Sequence, residues 1–213
     1  MAKYKRVTTP TGVAHYPWLK DPDTKFVKEG LYSCNIFLDM DDAKGLMKTI
    51  DKAIEDKVDF EKKETGKSKL KTCTPPYIVG GSEDDTNDIV PKGQVLFKIK
   101  SKAEINGTPV RPLVYDSKSS EPYSGGLKVF GGSKVKVAFD LRTWHVPSTG
   151  VGVTLSLVAV QVIELQERAA PSLESMGFQK EEEGFVFGDE DNSTEGTATN
   201  AKEEKESKET YDF

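Results

Sequence analysis

The chain has 213 residues, of which 36% are hydrophobic and 31% charged, with a net charge of −5; that length suits one domain of about 150–180 residues and an extension. The net charge argues against a nucleic-acid binder, but it is unevenly placed: residues 180–213 carry 4 lysines against 12 acids, net −8, which leaves 26 basic against 23 acidic residues, net +3, on 1–179. Two cysteines (Cys34, Cys73) and two histidines (His15, His145) lack the spacing of a zinc site, so no metal and no cofactor is expected, and the thiols read as reduced and intracellular. No apolar run reaches the roughly 18 residues of a membrane span, and the start MAKYKRVTTP has no apolar signal segment; a cytoplasmic protein with no membrane role is expected.

In chain order, residues 1–12 form a basic arm with Lys3, Lys5 and Arg6. Val13 to Leu19, with His15, Tyr16 and Trp18, reads as a strand or extended edge, and Pro22 marks a turn over Lys20–Asp23. Leu31 to Met40 alternates, with Tyr32, Cys34, Ile36, Leu38 and Met40 on one face and Phe37 on the mixed face, under a loop or free to stack. Asp39 or Asp41 is a plausible N-cap for a helix to about Phe60, with Leu46, Ile50, Ile54 and Val58 as its apolar stripe. Glu61 to Lys71 is a loop with five lysines that could follow a phosphate backbone or be solvated. Ser82 to Asp88 is an acidic loop; Asp84, Asp85 and Asp88 are the residues that a metal-dependent nuclease would use, but no base or ligand spacing accompanies them.

Gln94 to Ile105 is a second alternating strand. Val95, Phe97, Ile99, Ala103 and Ile105 face one way, and Lys98, Lys100 and Lys102 form a basic stripe on the other. Asn106-Gly107 signals a tight turn, and Pro109 and Pro112 place the next strand, about Val110 to Asp116, at an edge. The richest stretch is Gly131 to Leu165, two long strands joined by a Gly-rich turn. In the first, Val135, Val137, Phe139 and Leu141 alternate with Lys134, Lys136, Asp140 and Arg142. Unbroken alternation puts Trp144 on the wet face with Lys134, Lys136 and Arg142, where an aromatic among cations suits stacked bases of single-stranded nucleic acid; a bulge would return it to the core. The second strand turns apolar on both faces at Val158, Val160 and Val162, as if buried on both sides. The final Tyr211-Asp212-Phe213 puts an aromatic end on an acidic tract, which fits insertion into a basic-hydrophobic pocket.

Several blocks, in this order, carry a resemblance over most of the chain: Gly30-Leu31-Tyr32, Phe97-Lys98-Ile99-Lys100, Val114-Tyr115-Asp116-Ser117-Lys118, Gly131 through Val137 on to Trp144, Val162-Ile163-Glu164-Leu165, and the acidic tail ending Asp212-Phe213. In these the chain resembles the replication single-stranded DNA-binding protein of T-seven-type phages. The resemblance implies a mainly β fold, an OB-fold: a five-stranded Greek-key barrel with a capping α-helix over 1–179, followed by a disordered acidic C-terminal tail over 180–213. It implies no catalysis. It puts Trp144 at a base-stacking position and Lys3 and Lys100 on basic positions of a DNA groove; with the two basic stripes read above, the expected single-stranded DNA-binding residues are Lys3, Lys98, Lys100, Lys102, Lys134, Lys136, Arg142 and Trp144. A family lysine falls on Ala138 here, with Lys136 one step along the same face in position to compensate. It further implies strand annealing, a homodimer, residence in the cytoplasm of an infected bacterium, and a tail that competes with DNA for the groove. When displaced, that tail recruits the replicative DNA polymerase and helicase-primase through Glu209, Tyr211, Asp212 and Phe213. An adaptor that binds no nucleic acid and recruits only through its tail is the contrasting reading.

Overall fold

A computed structural model describes residues 4–25, 27–66, 68–86, 89–124, 128–166 and 176–179. Lys3, Lys67, Asp88 and the tail from 180 onward, including Glu209, Tyr211, Asp212 and Phe213, lie outside the described residues. Contacts divide the chain into Met1–Ala169 and Ala170–Phe213. The fold below is that of the first unit; in the second, Gly177 takes a left-handed turn between the exposed Met176 and Phe178.

In chain order the strands are β1 (Lys5–Thr8), β2 (Gly12–Asp23) and β3 (Leu31–Asp39), then helix α1 (Met40–Thr65). After it come β4 (Tyr77–Val79), β5 (Gln94–Phe97), β6 (Ile99–Lys102), β7 (Glu104–Ile105), β8 (Thr108–Pro109), β9 (Leu113–Tyr115), β10 (Lys134–Val146) and β11 (Gly150–Glu164). Five of the pairings close a ring: β2 with β3, β3 with β6, β6 with β11, β11 with β10, and β10 back to β2. All are antiparallel except β6 with β11. With β5 and β6 counted as one strand, this is the five-stranded order of an OB-fold barrel. Closure removes the sheet edges that would otherwise need protection.

The alternation expected for β10 holds along its length. Val135, Val137, Phe139 and Leu141 are buried, while Lys134 is exposed and Lys136, Ala138, Asp140, Arg142 and Trp144 are half-buried on the outer face. Inside the barrel they meet Cys34 and Ile36 of β3, Val95, Phe97 and Ile99 of β5 and β6, and Leu155, Leu157 and Val160 of β11. Helix α1 closes the barrel with Ala43, Leu46, Ile50 and Ile54, one stripe at near-helical spacing. Tyr77 donates to Asp51 Oδ1 at 2.8 Å and ties β4 to the helix; burial first, then Asp51, pushes the phenol up to about 12.

Five expectations need correction. The helix runs to Thr65 rather than Phe60: Lys62 and Lys63 suit its negative C-terminal end, and only Gly66, in the left-handed conformation, stops it. Half of the expected lysine loop is therefore helix. Asp39 is the N-cap residue but makes no side-chain cap; the Met40 N–H is satisfied by the Gly93 carbonyl instead. Residues Lys20–Asp23 belong to β2, because Pro22 sits where the pairing is irregular. The strand expected over 94–105 is interrupted at Lys98 and ends at Lys102; Ile105 is exposed in the β7–β8 hairpin, turned by Asn106 and Gly107 at positive φ. The change of pattern in β11 is not double burial. The β10–β11 register shifts between Ala138 and Phe139 across an extra β11 residue, Val158, so the buried set passes from Leu155 and Leu157 to Val160 and Val162.

The break at Lys98 has a physical reason. β3 pairs β5 and β6 in a single register, Ile36 opposite Phe97 and Ser33 opposite Lys100. The other edge of that strand changes partner, from β4 to β11. Between them the Lys98 N–H donates to the Pro76 carbonyl at 2.8 Å, and the Asn35 side-chain oxygen accepts the Ile99 N–H at 3.2 Å. Loop residue Asp85 is buried, and its carboxylate accepts the Ile89 and Val90 N–H groups. It is occupied in holding the acidic loop together. Among the described residues no cluster of three or more His, Cys, Asp or Glu could hold a metal ion, and no helix is long and apolar enough to cross a membrane.

Candidate nucleic-acid interface

An open groove of about 590 Å³ crosses the outer face of the barrel. Its walls come from β10 (Arg142, Thr143, Trp144), β11 (Thr154, Ser156), β6 (Lys100, Ser101, Lys102), the start of β3 (Leu31) and the loop before it (Val27). Tyr4 and Ile105 line it as well. Three cations and no carboxylate line it, and no ion pair holds Lys100, Lys102 or Arg142 among the described residues. Low-dielectric walls of one charge sign concentrate field on an anion entering such a cleft.

Trp144 lies on the wet side, as the alternation of β10 requires; the bulge that could have inverted it falls in the partner strand. Its cross-strand partner is Gly152, and a Cβ there would meet Cζ2 of the indole at 2.4 Å. The ring thus lies flat over a glycine, and its Nε1–H donates to Thr154 Oγ1 at 3.1 Å. One face of the ring is seated on the sheet and its orientation is fixed, which prepares the other for a flat partner. Arg142, two residues back on the same face, stacks its guanidinium 4.6 Å from the Tyr4 ring centre. Its Nε is buried and has no hydrogen-bond partner among the described residues. A buried, charged donor without an acceptor is costly in a finished structure and marks where an anionic acceptor would fit.

Of the expected site residues that are described, the structure brings together four, Lys100, Lys102, Arg142 and Trp144, and sets Lys98, Lys134 and Lys136 apart from them. Lys98 is exposed on the same outer face, one pleat repeat from Lys100, but does not line the groove. Lys134 is ion-paired with Glu164 at 2.7 Å, its neighbour in the β10–β11 register. Lys136 lines a separate depression of about 260 Å³ with Thr8, Tyr115, Ser119, Ala138, Ala159 and Gln161. Asp140 separates it from Arg142 on the β10 face, and its carboxylate accepts from Arg6 Nε at 2.9 Å and Nη2 at 3.3 Å. Lys136 and Ala138 line the same depression.

Sequence reasoning missed Tyr4, Gly152, Thr154, Val27 and Ile105. Gly152 and Thr154 had a readable signal once the hairpin register is known. They share a parity, and the pairing of Val146 with Gly150 at the turn sets them beside Trp144 and Arg142. Val27 and Ile105 reach the groove from a loop and a hairpin tip, for which periodicity offers no rule.

No protein-family model matches the chain, and no curated protein matches it. Solved structures do. The chain is similar to gp2.5, a single-stranded DNA binding protein encoded by bacteriophage T7, with 21% identity over 87% of this chain and 100% of that one and a TM-score of 0.65. It is similar to the single-stranded DNA-binding protein from bacteriophage Enc34, with 16% identity, 81% and 89% of the two chains covered, and a TM-score of 0.54. The same Enc34 protein in complex with ssDNA matches at 16% identity and a TM-score of 0.54, over 76% of this chain and 88% of that one. The shared fold agrees with the barrel read from the strand pairings.

Proposed function

We propose that this protein is a non-catalytic single-stranded DNA-binding protein of phage DNA replication and recombination, with the groove over β6, β10 and β11 as its DNA site. The observation that carries this reading is Arg142, with a buried donor that lacks an acceptor, beside an indole seated flat on Gly152. Bases stack on Trp144, and phosphates meet Arg142, Lys100 and Lys102. Lys98 and Lys136, on the outer face beyond the groove, extend the phosphate track, Lys134 joins it on release from Glu164, and Lys3 of the basic arm adds a further phosphate contact. Residues 1–179 form the DNA-binding body. Residues 180–213, net −8 against the body's +3, form a tail that screens the groove until DNA displaces it. The freed end, Glu209, Tyr211, Asp212 and Phe213, then recruits the replicative polymerase and helicase-primase. The protein acts as a homodimer, anneals complementary strands, and works in the cytoplasm of the infected host. The fold shared with the two phage proteins supports the DNA-binding part of this reading.

The test is titration with unstructured oligothymidine, followed by tryptophan emission at low and moderate salt, for residues 1–213 and 1–187. Salt-sensitive quenching, tighter without the tail, supports both parts. Absence of quenching and of gel retardation at low salt rejects the DNA site and leaves a tail-only adaptor.

A further inference from the structure

Strand β2 carries a second set of exposed aromatics. Regular alternation from the buried Ala14 would put Trp18 in the core. Instead, the β2–β3 register passes from His15 opposite Asn35 to Trp18 opposite Ser33, three residues against two. That bulge reverses the parity and re-aims the indole outward. It is strained: Tyr16 holds φ 45° without being glycine, a conformation that persists only where the surroundings enforce it. The result is a Trp18 that is 46% exposed and a Tyr16 that is 73% exposed, while Leu19 takes the core position. His15 sits against Phe37, ring centres 4.7 Å apart, on the same outer face.

This platform is continuous with the groove. Cross-strand partners form one row over the barrel: Trp18, Ser33, Lys100, Ser156, Asp140. Trp18 is therefore two strand spacings, about 10 Å, from Lys100. Trp144 lies on the far side of that lysine, four strand spacings from Trp18 and four residues along β10 from the Asp140 end of the row, or roughly 23 Å of surface. Lys20 and Lys128 line the shallow depression beside Trp18, together with Asp21. An aromatic flanked by cations in line with a cationic groove suits the same ligand as the groove.

We infer that Trp18 is a second base-stacking station, and that the bound strand runs from Trp144 across Lys100 to Trp18, with Lys20 and Lys128 meeting its phosphates. This rests on the DNA-binding reading and adds to it the path of the strand and a subsite on β2.

The chain has two tryptophans, so each can be read alone. The experiment uses the full chain carrying Trp144→Phe, which leaves only Trp18 emitting, and Trp18→Phe, which leaves only Trp144. Both are titrated with oligothymidine of about 16 nucleotides, the upper site size of one OB fold. The expected result is quenching in both variants. Trp18→Ala should weaken binding about fivefold to 150-fold, and Trp18→Phe should restore most of it. Unchanged Trp18 emission with quenched Trp144 would overturn the second station and leave the groove intact. Quenching of neither, with no binding at low salt, would overturn the DNA-binding reading and the second station with it. The emission readout does not depend on whether Trp18→Ala folds.

Discussion

Gly152→Ala tests the seating of Trp144 while leaving every side chain of the proposed DNA site in place. The added Cβ would lie 2.4 Å from Cζ2, 2.7 Å from Cη2 and 2.8 Å from Cε2 of the indole. Carbon pairs settle at about 3.5–4.0 Å, so the ring must lift by about 1 Å. The hydrogen bond from Nε1 to Thr154, now 3.1 Å, cannot survive that shift intact. Loss of that bond costs about 0.5–1.5 kcal/mol. Overpacking elsewhere costs about 1–3 kcal/mol, with the low end expected here because the groove side is open. Tilting the platform should remove much of the stacking contribution, about 1–3 kcal/mol, and weaken oligothymidine binding by up to about 150-fold. The assay is fluorescence anisotropy of a labelled oligonucleotide at fixed salt, with a thermal melt of each variant. Trp144→Ala should lose a similar amount, and the double variant should lose no more than Trp144→Ala alone, since the two changes act on one contact. Wild-type binding by Gly152→Ala, or losses that add in the double variant, would refute the flat seat as the basis of the site.

Other consequences are simpler to measure. Binding through about 3–5 phosphates should give a log–log salt slope near −2 to −4, and Lys100→Ala should reduce it by about 0.7; a slope near zero would deny the groove its electrostatic role. Glu61 accepts from Lys57 at 2.6 Å and pairs with His145 Nδ1 at 2.8 Å; Lys57 first, then His145, holds its carboxyl below the usual range. A carboxylate with a depressed folded value stabilises above its unfolded value of about 4.3 and loses that contribution as pH falls through the folded one. Glu61→Gln should therefore lower the melting temperature near neutral pH and converge with wild type in strong acid; parallel curves would refute the assignment. Cys34 is fully buried and its thiol is pushed up to about 12, whereas Cys73 is half-exposed. A thiol reagent should modify Cys73 in the native protein and Cys34 only on unfolding. Phe139→Ala, which empties a fully buried site, should destabilise the barrel by about 3–5 kcal/mol in denaturant unfolding.

The features legible in the sequence were those that repeat locally. The face of β10, the stripe of α1 and the Asn106-Gly107 turn each depend on neighbours within a few residues, and periodicity reads them directly. Single extra residues defeated it. Val158 in β11 and the Tyr16–Pro17 step in β2 each invert the side chains that follow, up to the next register shift, and nothing in their composition announces a bulge. The lysines show the other limit. Lys134 and Lys100 look alike along the chain, but only pairing register reveals that Glu164 holds one while the other lines a groove free of carboxylates. The unpaired Nε of Arg142 depends on a tertiary position that no spacing encodes.

Barrel closure also sets a timetable. The ring closes where β10 meets β2, joining Lys134 to Val13, and the parallel seam joins Leu155 to Ile99. Such distant pairings form slowly, because long loops must be ordered before any contact rewards them. The groove draws on Tyr4 at one end of the body and on Thr154 and Ser156 near the other. A growing chain thus has no partial groove to offer while the ribosome is still making β10. The groove is complete only once β11 has docked between β6 and β10 and brought Thr154 and Ser156 to its wall.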